Sequence, residues 1–340
     1  MKKLIYQARK IIIISFLPYV FIISAAIIHV DYDVTSPGQL NVVESVISIE
    51  QSFPQKGSFN TVSVYVNERT SLLSYLLAQL NPLIVTNKAP KSINLSKEES
   101  KTSGRIQKII SINNALIAGY HEANKEIEYE HIGIIIHTVT TDLAKGLELG
   151  DIIINWDGKK ITEVINPNDF QVTKQNNYEA TVIRNKEQIK IEVIPKIDKL
   201  GIYYYHYYQI SHANPSYQIL ESSTIGPSGG LMQALAIYNA ITERDITNGL
   251  KIAGTGTIDI NGQVGPIGGI YQKVFTSYLS NADVFFVPVV RENGKIIDEE
   301  GNNYHEALRA YQKLKKPKMA FVPVQSLSEA IKYLENRSNR

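Results

Sequence analysis

The sequence predicts an α+β protein, on three observations. An apolar run without Asp, Glu, Lys or Arg, residues 11–30, predicts one long N-terminal helix. Short alternating segments separated by turn residues, between residues 128 and 196, predict a β-rich domain. From residue 223 onward, helical and strand patterns follow one another, which is typical of a mixed α/β domain.

The N-terminal run has the length of a membrane anchor. At about 1.5 Å per residue, IIIISFLPYVFIISAAIIHV (residues 11–30) reaches across a hydrocarbon core of about 30 Å. The basic tail, residues 1–10, then faces the cytoplasm and the rest of the chain lies outside the cell membrane, which the chain crosses once. A cleaved signal peptide and a buried helix are the alternatives.

Composition excludes several classes of function. The net charge is +2 and no stripe of Lys and Arg appears, so nucleic acid is not an expected partner. The chain has no Cys, which removes disulfides, thiolate metal sites and Cys nucleophiles. No G-x-x-x-x-G-K-[ST] motif occurs, so no nucleotide is expected. We expect neither a cofactor nor a metal.

Residues 34–127 predict an extracytoplasmic segment of strands and helices that packs on the C-terminal domain. NTVSVYV (residues 60–66) alternates as a strand does, and residues 70–80 predict a short helix. Residues 86–105 are polar and rich in breakers, which indicates a loop. Helical periodicity returns at residues 106–126.

Residues 128–196 resemble a PDZ domain. GLELGDIIINWDGKKI matches the recurring PDZ pattern GL-x-x-GD-x-I followed by a turn with Gly, after a short helix that ends at Gly146. Such domains bind extended peptides at a sheet edge. The loop that would hold a peptide carboxylate is expected near Glu130–Gly133. The alternative is a β-rich module without a ligand.

The aromatic run YYYHYY, residues 203–208, predicts a strand, with a ligand platform as the alternative. The C-terminal pattern then predicts a series of elements: a helix at 229–242, a strand at 251–260, a turn at 261–262, a helix at 270–280, a strand at 284–288, a helix near 304–314, a strand at 319–324 and a helix from 326.

Ser228 in STIGPSGGLMQ has three interpretations. It caps a helix, it is the nucleophile of a G-x-S-x-G hydrolase elbow, or it is a nucleophile of another kind. The elbow needs an acidic residue and then a His after the Ser, and His305 is the one His downstream. His206 and His212 lie upstream without a supporting motif.

Lys273 offers a different base for Ser228. It lies just inside a helix that begins after Gly268–Gly269, and Ile270, Val274 and Phe275 are its apolar neighbours. An apolar pocket disfavours the charged amine, so the pKa of Lys273 would fall toward neutrality and the amine could accept a proton. Dyads of Ser and Lys are known variants of the catalytic triad.

These two motifs together resemble the proteolytic domain of Lon-type proteases. That family has G-P-S-A-G at the nucleophile and T-G-x-I-x-x-x-G-x-V-x-P-I-G-G-x-x-x-K at the base, and residues 255–273 follow the second pattern without a gap. The resemblance implies that Ser228 is the nucleophile, Lys273 the general base and Thr255 the residue that holds the amine. It implies that the Ser228 N–H serves the oxyanion hole, with three supporting residues, Gly226, Pro227 and Gly229.

The order of segments resembles that of the membrane-anchored PDZ–Lon proteases of Gram-positive bacteria. The resemblance implies that residues 197–340 of this chain form the proteolytic domain. The fold implied is a transmembrane helix, a PDZ-like β-rich domain and a Lon-type α/β domain. Three departures stand out. Gly229 replaces an Ala, which we expect to be tolerated; Ile225 stands where many ATP-dependent relatives have an acidic residue; and residues 203–218 differ from the family.

Two functions of different class follow. The first is a membrane-anchored, ATP-independent serine endopeptidase that cuts extracytoplasmic peptides and unfolded or membrane-proximal proteins, with the PDZ domain selecting substrates. The second is a non-catalytic PDZ adaptor that binds peptide ends at the membrane. The intact Ser228, Lys273 and Thr255 favour the first. Lon-type domains often form rings, so a homo-oligomer is compatible with the resemblance.

Overall fold

A computed structural model describes residues 2–93, 95–163, 172–297 and 303–337, and for residues 2–8 and 10–13 it describes the backbone only. The helices are α1 (Lys2–Ile27), α2 (Leu72–Ala78), α3 (Lys97–Glu122), α4 (Gly230–Ile241), α5 (Ile270–Leu279), α6 (Asn303–Gln312) and α7 (Leu327–Arg337). The first strands are β1 (Tyr32–Val42), β2 (Ile47–Ile49), β3 (Ser58–Asn67), β4 (Val85–Lys88), β5 (Glu126–Val139), β6 (Ile152–Trp156), β7 (Lys159–Lys160), β8 (Tyr178–Arg184) and β9 (Glu187–Val193). The remaining strands are β10 (Ile202–Asn214), β11 (Tyr217–Ile219), β12 (Lys251–Gly254), β13 (Thr257–Ile258), β14 (Val264–Gly265), β15 (Val284–Pro288), β16 (Arg291–Glu292), β17 (Lys295–Ile296) and β18 (Ala320–Val324).

The chain divides into two compact units. The first comprises the chain up to Gly38 together with Val64–Pro90, and the second comprises Gln39–Ser63 and the chain from Lys91 onward. In the first unit, the Ser71 side chain caps α2 by accepting from the Ser74 N–H, at 3.2 Å. β1 pairs antiparallel with β4 in the same unit.

The N-terminal helix α1 belongs to the first unit. In the part of the chain that the structure describes, no helix is both long enough and apolar enough to cross a membrane. The predicted anchor, residues 11–30, begins among residues whose side chains lie outside that description. The anchor therefore stays a prediction.

The second unit contains a parallel sheet in the order β18-β15-β12-β3. All five residues of β15 are buried, as expected for a parallel strand that is covered on both faces. Helices α4, α5, α6 and α7 and the strands β15 and β18 confirm the predicted pattern of the C-terminal domain to within a few residues. The domain boundaries at 34–127, 128–196 and 197–340 stay predictions.

Helix α3 begins nine residues earlier than the sequence pattern predicted. The predicted loop over 86–105 was therefore wrong at both ends, since residues 86–88 belong to β4 and residues 97–105 to α3. Ser96 and Glu99 form a capping box: the Ser96 Oγ accepts from the Glu99 N–H, and the Glu99 carboxylate accepts from the Ser96 N–H. The motif S-x-x-E is present in the sequence and indicates this helix start. The residues of the first turns of α3 are polar, so they show no apolar periodicity that would predict a helix.

A second sheet of the same unit is antiparallel, in the order β10-β5-β6-β8-β9, with β7 beside β6. β10 confirms the predicted aromatic strand and lies at one end of this order. Two turns with positive φ connect neighbouring strands of this sheet: Asp157–Gly158, the predicted turn with Gly, joins β6 to β7, and Asn185–Lys186 joins β8 to β9. The predicted PDZ domain, residues 128–196, includes residues 164–171, which lie outside the described residues.

Two details predicted for this sheet are wrong. Glu130–Gly133 form no loop, because they lie within β5, which pairs with β10 from Glu126 to Val139. The short helix predicted before Gly146 does not form, since these residues are a turn at 141–142, irregular backbone and an isolated bridge between Lys145 and Ile194. The backbone N–H groups that a helix would use bond elsewhere, because the Ala144 N–H donates to the Leu200 carbonyl and the Lys145 N–H to the Ile194 carbonyl, both at 2.9 Å.

A buried ion pair supports the GD motif of this sheet. Asp151 is 1% exposed, and Arg184 contacts it with Nε at 2.7 Å and Nη2 at 2.8 Å. The same guanidinium donates to the Gly146 carbonyl at 2.8 Å. Arg184 therefore neutralises the buried carboxylate and fixes the turn before β6.

We expect Arg184→Met to lower the free energy of unfolding of this sheet by about 3 kcal/mol, because an uncompensated carboxylate is left buried. Urea unfolding followed by fluorescence measures this, since Trp156 is the sole Trp of the sequence and is buried in the core of this sheet. Lys190→Met is the matched control: its pair with Glu179 is exposed at 72% and 62%. Equal losses in both variants would contradict the prediction.

Candidate active site

Ser228 lies in the turn that leads into α4. Gly230 begins the helix, Gly229 takes the N-cap position, and the Ser228 side chain is half-buried. Gly226 has a φ of +90°, a conformation that residues with a side chain rarely adopt. The glycines around Ser228 therefore allow a sharp entry into the helix and leave its hydroxyl accessible.

Lys273 reaches this hydroxyl from the first turn of α5. Its Nζ lies 2.7 Å from the Ser228 Oγ, although 45 residues separate the two in the chain. Lys273 is 2% exposed, and its neighbours Ile270 and Val274 are fully buried. Burial disfavours the charged amine and lowers the pKa of Lys273 from 10.5 to about 7. A substantial fraction of the amine is thus neutral, and able to accept a proton, near neutral pH.

Thr255 connects the base to the backbone of the nucleophile. Its Oγ1 lies 3.0 Å from the Lys273 Nζ, from which it accepts a hydrogen bond, and it donates to the Ser228 carbonyl at 2.9 Å. Thr255 is completely buried. The hydroxyl therefore uses its acceptor and its donor to hold the amine and the nucleophile turn in fixed relation.

The strand predicted at 251–260 breaks at Thr255–Gly256 because the backbone turns toward the nucleophile. The Gly256 N–H donates to the Ser228 carbonyl at 2.9 Å, and the Gly256 carbonyl accepts from the Leu231 N–H at 3.1 Å. These bonds take Gly256 out of the strand, so that β12 and β13 are separate strands with different partners, β3 and β15 for β12 and β14 for β13. The interruption ties the start of α4 to the segment that carries Thr255.

Gly226, Pro227 and Gly229 shape the turn on either side of Ser228. The Gly226 N–H donates to the Gly104 carbonyl of α3 at 2.8 Å. A methyl group at position 229 would come within 2.9 Å of the Thr61 Cγ2, so Thr61 occupies space that an Ala would need. The expected tolerance of an Ala at position 229 therefore depends on position 61, where the Ala would need a smaller residue or a shifted side chain.

Ile225 stands at the position where, by the family resemblance, many ATP-dependent relatives have an acidic residue. It is 51% exposed, and its side chain packs over Gly104, where a methyl group would come within 2.7 Å of the Ile225 Cδ1. Gly104 is thus needed for the close approach of this side chain. No carboxylate acts at this position in this chain.

The histidines considered for a triad lie elsewhere. On β10, the His206 Nδ1 is 3.1 Å from the His131 Nε2, and the His212 Nε2 is 4.0 Å from a Glu126 carboxylate oxygen. His305 lies on α6 and contacts the ring of Tyr304. The Ser228 hydroxyl has its short contact with Lys273 instead. Among the described residues, no group of three or more His, Asp or Glu side chains could hold a metal ion.

Sequence reasoning missed the part that α3 plays in this site. Three residues on one face of the helix, Gly104, Lys108 and Ser111, bind the segment before Ser228. More than 110 residues of sequence separate each from its partner. A single hydrogen bond between residues so far apart in the chain leaves no local pattern in the sequence.

The arrangement can carry out nucleophilic attack on a carbonyl group. It contains a hydroxyl, a neutral amine within hydrogen-bond distance of it, and a third group that orients the amine. Within the described residues, the N–H groups of Ser228 and Gly229 donate to no protein acceptor, and both lie at the start of α4. Such donors can stabilise a developing negative charge.

The C-terminal region is similar to that of known proteins. Residues 222–321, which include Ser228, Thr255 and Lys273, match the family model of the Lon protease (S16) C-terminal proteolytic domain. The chain is 29% identical over 138 residues to the Lon protease of Dictyoglomus thermophilum, a match that covers 36% of this chain and 17% of that protein. It is 28% identical over 108 residues to the Lon protease of Brevibacillus choshinensis, which covers 32% of this chain and 12% of that protein.

A third match, 30% identical over 106 residues, is to the Lon protease of Clostridioides difficile and covers 31% of this chain and 12% of that protein. This chain therefore spans less than a fifth of the length of these relatives. The matched part is thus similar to the Lon C-terminal proteolytic domain, which belongs to a family of serine proteases.

Proposed function

We propose that this protein is a serine endopeptidase that hydrolyses peptide bonds with a Ser–Lys dyad, in which Ser228 is the nucleophile and Lys273 the general base. The observation that carries the proposal is the 2.7 Å contact between the Ser228 Oγ and a buried Lys273 amine whose pKa is lowered to about 7. An ordinary surface lysine is charged at neutral pH and could not take the proton.

The first half of the reaction forms an ester on Ser228. The Oγ attacks the carbonyl carbon of the scissile bond, and its proton passes to the Lys273 Nζ. The carbonyl oxygen becomes an oxyanion and accepts hydrogen bonds from the N–H groups at the start of α4. The intermediate collapses, the C–N bond breaks, and the Lys273 ammonium returns the proton to the leaving amine.

The second half of the reaction restores the enzyme. A water molecule attacks the ester carbon and gives a proton to the neutral Lys273 amine. The C–O bond to Ser228 then breaks, the ammonium protonates the Oγ, and the carboxylic acid product leaves. Thr255 holds the amine at 3.0 Å through both halves, so that the same nitrogen can exchange a proton with each oxygen in turn.

We propose further that the enzyme is anchored in the cell membrane by residues 11–30 and acts outside it on flexible peptides and unfolded or membrane-proximal proteins. The uncharged apolar run and the basic residues before it support this location. Without a nucleotide-binding motif in the chain, substrates that are already unstructured are the appropriate class.

The antiparallel sheet of β5, β6 and β8–β10 is proposed to select substrates, as the PDZ resemblance implies. Two strands, β10 and β9, stand at the ends of its order. A strand at the end of a sheet has backbone groups with which an extended peptide can pair. Selection by this sheet would add specificity to a dyad that has no preference of its own for one peptide bond.

The full chain in detergent micelles tests the proposed activity. We expect it to cleave an unstructured fluorogenic peptide without ATP, and we expect Ser228→Ala to abolish the cleavage while leaving circular dichroism unchanged. Mass spectrometry of the products identifies the bond. Equal cleavage by the wild type and Ser228→Ala would exclude the dyad, whereas peptide binding without cleavage by the wild type would favour the adaptor.

A further inference from the structure

The carbonyl group of Pro227 and the N–H group of Ser228 belong to one peptide unit. Because a peptide unit is planar and trans, the two groups point in opposite directions and turn together. Whatever fixes the direction of the Pro227 carbonyl also fixes the direction of the Ser228 N–H. The direction of this N–H matters to the proposed reaction, since the oxyanion accepts from it.

The Pro227 carbonyl is held by a side chain of α3. The Ser111 Oγ donates to the Pro227 oxygen at 2.9 Å, and Ser111 is 4% exposed. A second acceptor of the same hydroxyl, the Gln233 Oε1, lies at 3.4 Å, so the shorter bond is the one to Pro227. The Gly230 N–H also approaches the Pro227 oxygen, at 3.3 Å, at the long end of the hydrogen-bond range.

The proline ring does not set the orientation of this peptide unit. The unit between Pro227 and Ser228 turns by a coupled change of two backbone angles, ψ of Pro227 and φ of Ser228, whereas the ring fixes only φ of Pro227, near −65°. The hydrogen bond from Ser111 to the Pro227 carbonyl restrains this turn. One buried hydroxyl thus helps to aim the Ser228 N–H.

Two further contacts show that α3 holds the whole segment before the nucleophile. Gly104, Lys108 and Ser111 are spaced four and three residues apart, which places them on one face of the helix. The Gly104 carbonyl accepts from the Gly226 N–H at 2.8 Å, and the Lys108 Nζ donates to the Ser222 Oγ at 3.0 Å. Of these three contacts from α3, only that of Ser111 acts on the peptide unit that carries the oxyanion donor.

We propose that Ser111 is a positioning residue for catalysis, which fixes the peptide between Pro227 and Ser228 so that the Ser228 N–H points at the oxyanion. The inference rests on the proposed peptidase function and goes beyond it. The Ser111 hydroxyl bonds to the Pro227 carbonyl and the Gln233 side chain, not to the Ser228 Oγ or the Lys273 Nζ, so its effect on the reaction passes through the Pro227 carbonyl.

Ser111→Ala in the full chain is expected to lower kcat by about 10- to 100-fold, less than the loss of an entire oxyanion donor, while KM stays within about twofold. A second readout is the affinity for a peptide aldehyde, which forms a tetrahedral oxyanion adduct with Ser228. We expect this affinity to fall by a factor similar to that of kcat. The affinity for the corresponding peptide alcohol, which forms no adduct, should not change.

Ser103→Ala is the matched control. Ser103 lies on the same helix and is also 4% exposed, but its hydroxyl bonds to the Thr138 Oγ1 and accepts from the Gln107 Nε2, both at 3.0 Å, and not to the nucleophile turn. It should lose stability to a similar degree and keep the wild-type kcat and aldehyde affinity. A drop in kcat for both variants would mean that the loss is structural and would overturn the proposal.

Ser111→Cys decides the question if Ser111→Ala does not fold. The thiol fills the space of the hydroxyl with a somewhat larger atom but is a weak donor, so we expect a reduced kcat at unchanged KM. Wild-type kcat and aldehyde affinity in every folded Ser111 variant would overturn the positioning role. This outcome is distinct from failure of the proposed function, in which the wild type itself does not cleave the peptide.

Discussion

Lys273→Met is expected to lower kcat for peptide cleavage by about 10⁴-fold, because general-base assistance contributes up to that factor. Methionine fills a similar volume and stays apolar, so the buried site around Ile270 and Val274 should remain packed. The Ser228 hydroxyl would then lack a group that removes its proton, since its short contact is to this amine. Steady-state cleavage of the fluorogenic peptide by the full chain measures the loss.

The same base sets the pH dependence of the wild type. Below pH 7 the Lys273 amine is protonated and cannot accept the Ser228 proton, and above pH 7 it is neutral. We therefore expect kcat/KM to rise with pH, with a midpoint of about 7, and to level off above it. The residual activity of Lys273→Met should lack this rise.

Lys251→Met serves as the control for the loss of a lysine near α5. The Lys251 side chain is exposed and its Nζ donates to the Ser280 carbonyl just after the end of that helix, at 2.9 Å. This variant should keep both the wild-type kcat and the wild-type pH profile. Full activity in Lys273→Met, or a midpoint of the wild-type profile near 10, would contradict the assignment of Lys273 as the base.

The candidate dyad could be predicted because its chemistry is written in local motifs. The glycines around Ser228 and before Lys273 shape the turns that present the two side chains, and turns of this kind depend on neighbouring residues. Two motifs with fixed internal spacing could therefore be recognised separately and then combined. The elements of the C-terminal domain were predictable for the same reason, since their apolar periodicity is local.

Contacts between segments distant in the chain could not be predicted in this way. Ser111 looked like one polar residue of a helix until the fold brought it to the Pro227 carbonyl, 116 residues away. Similarly, Glu130–Gly133 were expected to form a loop by position in a motif, whereas pairing with β10 makes them part of a strand. Pairing partners decide strand identity, and a single sequence does not state them.

The start of α3 is a different kind of miss, since the information was local and present. Ser96 and Glu99 stand at capping-box spacing, and both reciprocal hydrogen bonds form. The polar composition of residues 97–105 outweighed this signal. A helix that exposes its first turns needs no apolar residue there, so a capping motif is better evidence of its start than hydropathy.

Lys273→Met should also stabilise the fold, in a manner that depends on pH. The lysine has a pKa of about 7 in the folded protein against 10.5 ordinarily. Below pH 7 both the folded and the unfolded chain bind the proton, and burial of the charge lowers stability by roughly 5 kcal/mol. Between pH 7 and 10.5 only the unfolded chain binds it, so the stability of the wild type rises with pH. Above pH 10.5 neither binds it and the penalty is absent.

The stability advantage of Lys273→Met should therefore be largest at pH 6 and should shrink by roughly 4 kcal/mol by pH 10, because most of the interval between the two pKa values has then been crossed. Urea unfolding followed by circular dichroism at both pH values measures the difference between variant and wild type, from which all other titrating groups cancel. Lys251→Met, which removes an exposed lysine, is measured alongside as the control. A constant difference for Lys273→Met would show that the amine is not desolvated. Because desolvation is what makes this lysine a base, such a result would remove the physical reason for the dyad along with the stability effect.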